Sequence, residues 1–193
     1  MEDPRSPILS WLALALLLTL RTAPLAAETL ISNGPGGGGL SVGYRVMDLN
    51  SSDGMAKTSI TVAVWYPTRE PPRSFTYGGR TSGHVAVNAE PLGAGGPYPL
   101  LVFSHGYGGS GLGAVFLTEA LAARGWIVVA PDHRDRHSAV RMRSGQTEDF
   151  DRLGFLRHAL EISRSGPGDR ENYRYRVDEM RTVLDGLLVS KTF

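Results

Sequence analysis

The apolar residues in the first part of the chain are arranged as in β-strands. Residues 40–49 alternate between apolar and polar, and residues 59–66 are β-branched and aromatic and stop at Pro67. Both segments predict strands, with a turn at residues 50–54 between them. Residues 67–99 are rich in glycine and proline, which predicts a long irregular crossing of the surface.

From residue 100 the pattern changes to short segments that are apolar throughout. Residues 100–103 and 126–130 are of this kind, and residues 112–124 between them have apolar positions near helical spacing. Gly125 follows where a helix end favours a left-handed residue. The order strand, helix, strand predicts a βαβ unit in an α/β fold, with a mainly parallel sheet that helices cover on both faces.

Two more helices are predicted, at residues 148–163 and 175–188. The apolar residues of the second helix are spaced for one buried stripe. They are Val177, Met180, Val183, Leu184, Leu187 and Leu188. We therefore expect this helix to pack on the sheet through aliphatic side chains.

The N-terminal segment predicts export. Residues 8–20 are an apolar run of 13 residues, which is too short to span a bilayer as a helix, and small residues follow at 23–27. Residues 1–27 therefore predict a signal peptide, with an uncleaved anchor or a buried helix as the alternative. Four consecutive glycines make residues 28–39 a predicted linker, which leaves residues 40–193 as the folded domain of a periplasmic or extracellular protein.

Composition excludes several classes of protein. The 20 Lys and Arg residues against 19 Asp and Glu leave a formal charge of +1, which argues against a nucleic-acid-binding protein and a polybasic membrane-surface protein. Zero cysteines exclude a disulfide scaffold, a thiolate metal site and a cysteine nucleophile among these residues. We expect no cofactor, no metal and no stable membrane span.

A glycine-rich turn at residues 104–111 separates the first apolar strand from the helix that follows. Backbone N–H groups at such a turn, together with the positive end of the helix dipole, can bind an anion. Three interpretations remain open. The turn could be a dinucleotide loop, because Gly106, Gly108 and Gly111 satisfy G-x-G-x-x-G and Asp132 follows at about the distance of a ribose-binding acid. It could also be a tight turn without chemistry, or an oxyanion hole, because His105-Gly106 follows the third strand as in α/β-hydrolases.

Two segments carry a resemblance to a known family. Residues 98–109 (YPLLVFSHGYGG) and 121–135 (LAARGWIVVAPDHRD) resemble the branch of the α/β-hydrolases that contains platelet-activating factor acetylhydrolase and dienelactone hydrolase. Residues 63–67 (AVWYP) resemble the second strand of that family, and the similarity covers about residues 40–190. It implies the N-terminal half of an α/β-hydrolase fold, strands one to four with their flanking helices.

The resemblance also implies a function and a site. The function would be a serine esterase that acts on lipid or other short acyl esters, with polymer esters of the cutinase type as an alternative. Tyr107 matches the residue whose backbone N–H serves the oxyanion hole, and its ring would line the acyl pocket. His105, Gly106 and Gly108 would surround the substrate at the same turn.

The residues present do not include the expected nucleophile elbow, a G-x-S-x-G turn between a strand and a helix. Residues 39–43 (GLSVG) match the letters around Ser41 but lie at the start of the first predicted strand, and Ser110 has Gly108 before it but Leu112 after it. In the family the motif follows the helix that residues 175–188 resemble, so we expect it beyond residue 193 and expect this chain alone to be inactive. Ser104 and His105 are neighbours near a strand, so their side chains should point to opposite faces and not pair.

The segment after the fourth strand holds four further polar residues. Asp132, His133, Asp135 and His137 could form a metal site, but local pairing of Asp132 with Arg134 is the favoured interpretation. His158 is expected on the surface.

The family's strand order has a consequence for the isolated chain. It places residues 100–103 between the fourth and fifth strands, so here this strand should form a bare sheet edge that favours self-association. A different class of function, a secreted non-catalytic binding domain, also remains open.

Overall fold

The computed structural model describes residues 40–50, 59–93, 97–135, 137–138, 140–143, 145–146, 150–164, 166 and 173–190. The predicted signal peptide and linker, and most of the predicted turn at 50–54, lie outside these residues. The strands are β1 Ser41–Asn50, β2 Ser59–Thr68, β3 Arg73–Tyr77, β4 Thr81–Val87, β5 Leu100–Val102, β6 Ile127–Pro131, β7 Val140–Arg141 and β8 Gly145–Gln146. The helices are a 3₁₀ turn Gly111–Ala114 and the α-helices α1 Val115–Ala122, α2 Arg152–Arg164 and α3 Arg174–Val189.

Six of the strands form one mixed sheet in the order β3-β4-β1-β2-β6-β5. β1 and β2 pair antiparallel along their full lengths, β2 is antiparallel to β6, and β5 is parallel to β6. β7 and β8 form a separate two-stranded ribbon. All four strands predicted from the apolar pattern are confirmed, and β5 has β6 as its single neighbour among the described strands.

The prediction of an irregular crossing at residues 67–99 is wrong. The segment contains the antiparallel hairpin β3–β4, and β4 pairs parallel to β1. Gly78 and Gly79 both have positive φ, at 52° and 74°, so these glycines make the tight turn of a hairpin. The apolar residues of each hairpin strand are too few to signal a strand in the sequence.

Tyr77 fixes the hairpin to the rest of the domain. Its buried hydroxyl accepts a hydrogen bond from Trp65 Nε1 at 3.0 Å and donates one to Glu119 Oε1 in α1 at 2.7 Å. Its ring also packs edge-on against Tyr44 at 4.8 Å. Burial raises the pKa of the Tyr77 phenol well above its usual range. The hydroxyl therefore stays protonated and donates a hydrogen bond to Glu119.

The sheet is covered on both faces, as the apolar strands predicted. Alternate residues of β2 and β6 point to opposite sides: Ala63, Trp65 and Val128 pack in the core that includes α1, and Val64 and Val129 pack in the core that includes α3. The parallel pairing of β5 with β6 through α1 confirms the βαβ unit. Gly125 ends α1 with a φ of 86°.

The predicted apolar stripe of α3 is wrong in three of its six members, because Val177, Leu184 and Leu188 are exposed. The buried residues of this helix are Glu179, Thr182 and Val183, whereas Val177 is 52% exposed and Leu188 is 84% exposed. The helix turns a partly polar face to the sheet because the charged residues on that face find partners there. Along the described part of the chain, no helix is long and apolar enough to cross a bilayer.

Candidate active site

Two loops leave the sheet side by side at its carboxyl edge. β5 and β6 are parallel, with Val102 beside Val129, so the loops that follow them start at the same edge. The first loop begins at Phe103 and the second at Asp132. Ligands of open α/β sheets bind at this edge, outside the carboxyl ends of the strands.

Ser104, His133 and Glu179 form a chain of hydrogen bonds at this edge. Ser104 Oγ lies 2.7 Å from His133 Nε2, and His133 Nδ1 lies 2.7 Å from Glu179 Oε2. The side chains of His133 and Glu179 have no exposed surface, whereas Ser104 is exposed. An ionised Glu179 accepts a hydrogen bond from the N–H of His133 Nδ1. His133 Nε2 then carries no proton and accepts a hydrogen bond from the Ser104 hydroxyl.

Glu179 is held in its charged form by two residues of the second loop. Burial opposes ionisation, but the hydrogen bonds from His133 and Arg134 outweigh it and lower the pKa of the Glu179 carboxyl below its usual value. Arg134 donates from Nε at 2.7 Å and from its backbone N–H at 3.3 Å. The carboxylate therefore ties α3 to the loop after β6.

Arg176 ties α3 to both loops at once. Its guanidinium pairs with the buried Asp135 and also donates to the backbone oxygen of His105. Tyr175 donates its hydroxyl to Asp135 Oδ1 at 2.6 Å. Burial and this hydrogen bond raise the pKa of the Tyr175 phenol to about 12, whereas the bonds from Arg176 and Tyr175 outweigh burial and lower the pKa of Asp135.

The glycine-rich turn has a defined internal structure. His105 Nδ1 bonds to Gly106 O at 2.8 Å, and Gly109 N–H donates to the same oxygen at 3.0 Å. Gly108 has a φ of 70°, and a Cβ at this position would meet the ring of Phe155. Ser110 caps the 3₁₀ turn by accepting from Leu112 N–H at 3.2 Å. The turn therefore requires glycine at position 108.

Helix α2 covers this turn through Tyr107. The Tyr107 ring stacks on Phe155 with centroids 5.5 Å apart, and its hydroxyl lies 2.6 Å from His158 Nδ1. The expectation of a surface position for His158 is wrong, because the ring is half-buried against Tyr107. α2 buries none of its described residues, and Leu153 is 75% exposed.

Sequence reasoning missed two residues of the Ser104 hydrogen-bond chain. Ser104 and His105 do not pair, as expected. Ser104 instead bonds to His133, a pairing that the sequence did not predict. Glu179 was assigned to no site. The sequence signal for His133 was the prediction that the two apolar strands are parallel neighbours, because the first residues after two such strands lie close together. No local signal in the sequence identifies Glu179.

The predicted pairing of Asp132 with Arg134 is wrong. Asp132 Oδ1 accepts from Arg141 Nη1 at 3.2 Å, and Arg134 pairs with Glu179. The side chains of Asp132, His133 and Asp135 thus bond to different side chains, although Arg141 also bonds to the backbone oxygens of His133 and Asp135. The described residues contain no group of three or more ligands that could hold a metal ion.

His105 adds a pH dependence to the fold. The His105 ring is buried, and its Nε2 atom has no hydrogen-bond partner among the described residues. Burial, which opposes the charged imidazolium, lowers the pKa of His105 below its ordinary value of 6.5. The unfolded chain therefore binds a proton at this residue more readily than the folded chain.

We predict that the free energy of unfolding decreases as the pH falls below 6.5, by at most about 1.4 kcal/mol per pH unit for one proton. Urea denaturation at about pH 7.5 and about pH 5.5 measures this decrease. His105→Gln should make it smaller. Asp135 and Glu179, whose pKa values are lowered, stabilise the fold above about pH 4 and lose this effect only below it. The pH range in which His105 acts is therefore distinct from the range in which the two carboxylates act. An equal decrease in H105Q would contradict the assignment.

The chain was compared with known proteins. Residues 74–181 match the family described as platelet-activating factor acetylhydrolase, isoform II. This range extends from β3 through Glu179 and includes both loops at the carboxyl edge. No curated protein matches the chain significantly.

A solved structure supports the fold assignment. A ferulic acid esterase from Streptomyces cinnamoneus is 25% identical to this chain, with a TM-score of 0.52. The match covers 80% of this chain and 48% of the esterase chain, so this chain spans about half the length of that protein. The mixed sheet with its flanking helices is the N-terminal part of an α/β-hydrolase fold, and the chain belongs to the platelet-activating factor acetylhydrolase isoform II family.

Proposed function

We propose that this chain carries the oxyanion turn of an exported esterase that cleaves carboxylic esters through an acyl-serine intermediate. The observation that carries the proposal is the position of the glycine-rich turn, directly after β5 at the carboxyl edge of the sheet. In α/β-hydrolases this loop supplies one oxyanion donor. The family match and the esterase neighbour support ester hydrolysis as the reaction.

Within the turn, the proposed donor is the backbone N–H of Tyr107, and His105, Gly106 and Gly108 flank the bound acyl group. A backbone donor stabilises the negative charge of the tetrahedral intermediate best when its position is fixed before the reaction, and removing one such donor costs about 3 kcal/mol. Arg176 bonds to the His105 carbonyl and to the buried Asp135, and so holds the turn from α3. This contact supports the required rigidity, and Phe155 of α2 stacks on the Tyr107 ring.

The proposed substrates are lipid esters or other esters with short acyl groups. The rings of Tyr107 and Phe155 place apolar surface beside the turn, which suits an acyl chain better than a charged group. The family name supports acetyl esters, and the ferulic acid esterase supports an aromatic acyl group as the second candidate. Export through residues 1–27 to the periplasm or the medium is part of the proposal.

We predict that the 193-residue chain sustains no hydrolysis of p-nitrophenyl acetate above the buffer blank, because none of its serines lies in a G-x-S-x-G motif at a strand-to-helix turn. Ser41, the serine of GLSVG at residues 39–43, instead begins β1, which pairs with β2 along its length. The release of p-nitrophenolate is followed by absorbance through many equivalents of ester per chain. Continuing release that Ser110→Ala abolishes would place the catalytic nucleophile in this chain and contradict the proposal.

The oxyanion turn itself can be tested without turnover. Butyrate, a carboxylate product of the proposed reaction, should shift the amide resonance of Tyr107 in a ¹⁵N-labelled chain. Gly108→Ala should abolish the shift, because position 108 has positive φ and a Cβ there would meet Phe155. Gly79→Ala is the matched control, since Gly79 also has positive φ but has open space around its Cβ position.

The two variants separate the possible outcomes of this titration. G79A should keep the wild-type shift. Equal shifts in both variants, or no shift of Tyr107 in the folded wild-type chain, would contradict the assignment of the turn. Shifts confined to another surface would favour a binding domain over an esterase.

We further propose that the chain associates with itself through the edge strand β5. Leu100 in this strand is 43% exposed, and an open apolar edge favours pairing with another chain. Sedimentation velocity should show a larger species as concentration rises, and Leu100→Lys should weaken it. Leu117→Lys is the control, because Leu117 is 41% exposed but lies in α1. A monomeric wild-type chain at all concentrations, or equal effects of both variants, would contradict this.

A further inference from the structure

The Ser104, His133 and Glu179 chain has the arrangement of an activated serine. In serine hydrolases the nucleophile bonds to a base, and an acid orients that base in the tautomer that can accept the proton. Both bonds of the chain are 2.7 Å long, which is within the range of short, well-formed hydrogen bonds. Arg134 in turn orients the carboxylate of Glu179. The three residues thus occupy the positions of nucleophile, base and orienting acid.

We propose that Ser104 is a reactive nucleophile that accepts one acyl or phosphoryl group, with His133 as its general base. The exposure of Ser104 lets a reagent approach from solvent, while the base and the acid behind it are fully buried. The site is separate from the G-x-S-x-G serine that the family resemblance implies. It does not rest on the oxyanion function of Tyr107.

The reaction is a substitution at the acyl carbon or at phosphorus. With diisopropyl fluorophosphate, the bond from Ser104 Oγ to phosphorus forms, the phosphorus–fluorine bond breaks, and fluoride leaves. The hydroxyl proton passes to His133 Nε2, and the resulting imidazolium is paired with Glu179. With p-nitrophenyl acetate the same step forms acetyl-Ser104 and releases p-nitrophenolate.

The burial of His133 limits both the substrates and the extent of reaction. A base with no exposed surface cannot pass a proton to a leaving group in solvent, so the reagents are those whose leaving group departs as a stable anion. For the same reason His133 cannot activate a water for deacylation. The site therefore reacts once per chain, and p-nitrophenyl acetate releases at most one equivalent here.

Diisopropyl fluorophosphate is the probe for this site. Intact mass spectrometry should show one adduct per chain, and peptide mapping should place it on Ser104. Ser104→Ala should remove the adduct. Ser82→Ala is the matched control, because Ser82 is also exposed but lies opposite Thr76 in the β3–β4 hairpin, and it should label at the wild-type rate.

A second variant tests the base rather than the nucleophile. Glu179→Gln keeps the shape of the side chain but removes the charge that stabilises protonated His133, so labelling should slow by about tenfold or more. Circular dichroism verifies that the variant is folded. Labelling of folded E179Q at the wild-type rate would show that the hydrogen-bond chain is structural only and would overturn the proposal.

If E179Q does not fold, the labelling rate of the wild-type chain alone tests the proposal. Ser104 should react at least about 100-fold faster than the serine of a short blocked peptide, as expected for general base catalysis. A rate equal to that of the peptide, an adduct that persists in S104A, or no adduct on the folded wild-type chain would overturn the proposal. None of these outcomes depends on the butyrate titration of the turn.

Discussion

A carboxylate without any exposed side-chain surface holds the carboxyl edge of this sheet together. Glu179 sits in α3, and its carboxylate accepts a hydrogen bond from His133 and pairs with the charged Arg134 in the loop after β6. A buried charge that loses one partner costs about 3–5 kcal/mol, so the helix and the loop cannot separate without a large penalty. Arg176 on the same helix adds Asp135 and the His105 carbonyl, so α3 also fixes the glycine-rich turn. The geometry of the candidate site follows from these pairings.

On each face of the sheet, a hydrogen-bonded glutamate fixes a helix beside an apolar core. On the α1 face, Glu119 accepts a hydrogen bond from the Tyr77 hydroxyl, and on the α3 face Glu179 accepts one from His133. Apolar packing is non-directional and leaves a helix free to slide or rotate on a sheet. A hydrogen-bonded carboxylate is directional and permits one position only. The two glutamates therefore define where the helices lie, and the aliphatic residues supply most of the stabilisation.

Much of the architecture was predictable, because continuous apolar segments and helical spacing are local properties. β1, β2, β5, β6 and the three helices all carry such local patterns. The β3–β4 hairpin was missed because its strands are short and its glycines serve a turn that resembles a loop in sequence. The buried face of α3 was assigned to aliphatic residues alone because hydropathy places Glu179 on the surface, whereas His133 and Arg134 make its burial favourable once the chain folds. His133 and Glu179 are 46 residues apart, and their pairing depends on tertiary structure alone.

Helix α2 buries little surface against the domain, and this affects the glycine-rich turn that it covers. This helix buries none of its described residues and contacts Tyr107 through Phe155 and His158. A segment with so little buried surface detaches at a free-energy cost far below that of global unfolding. The covering of the Tyr107 ring by α2 is therefore a local equilibrium, which can shift while the sheet and its buried carboxylates stay intact.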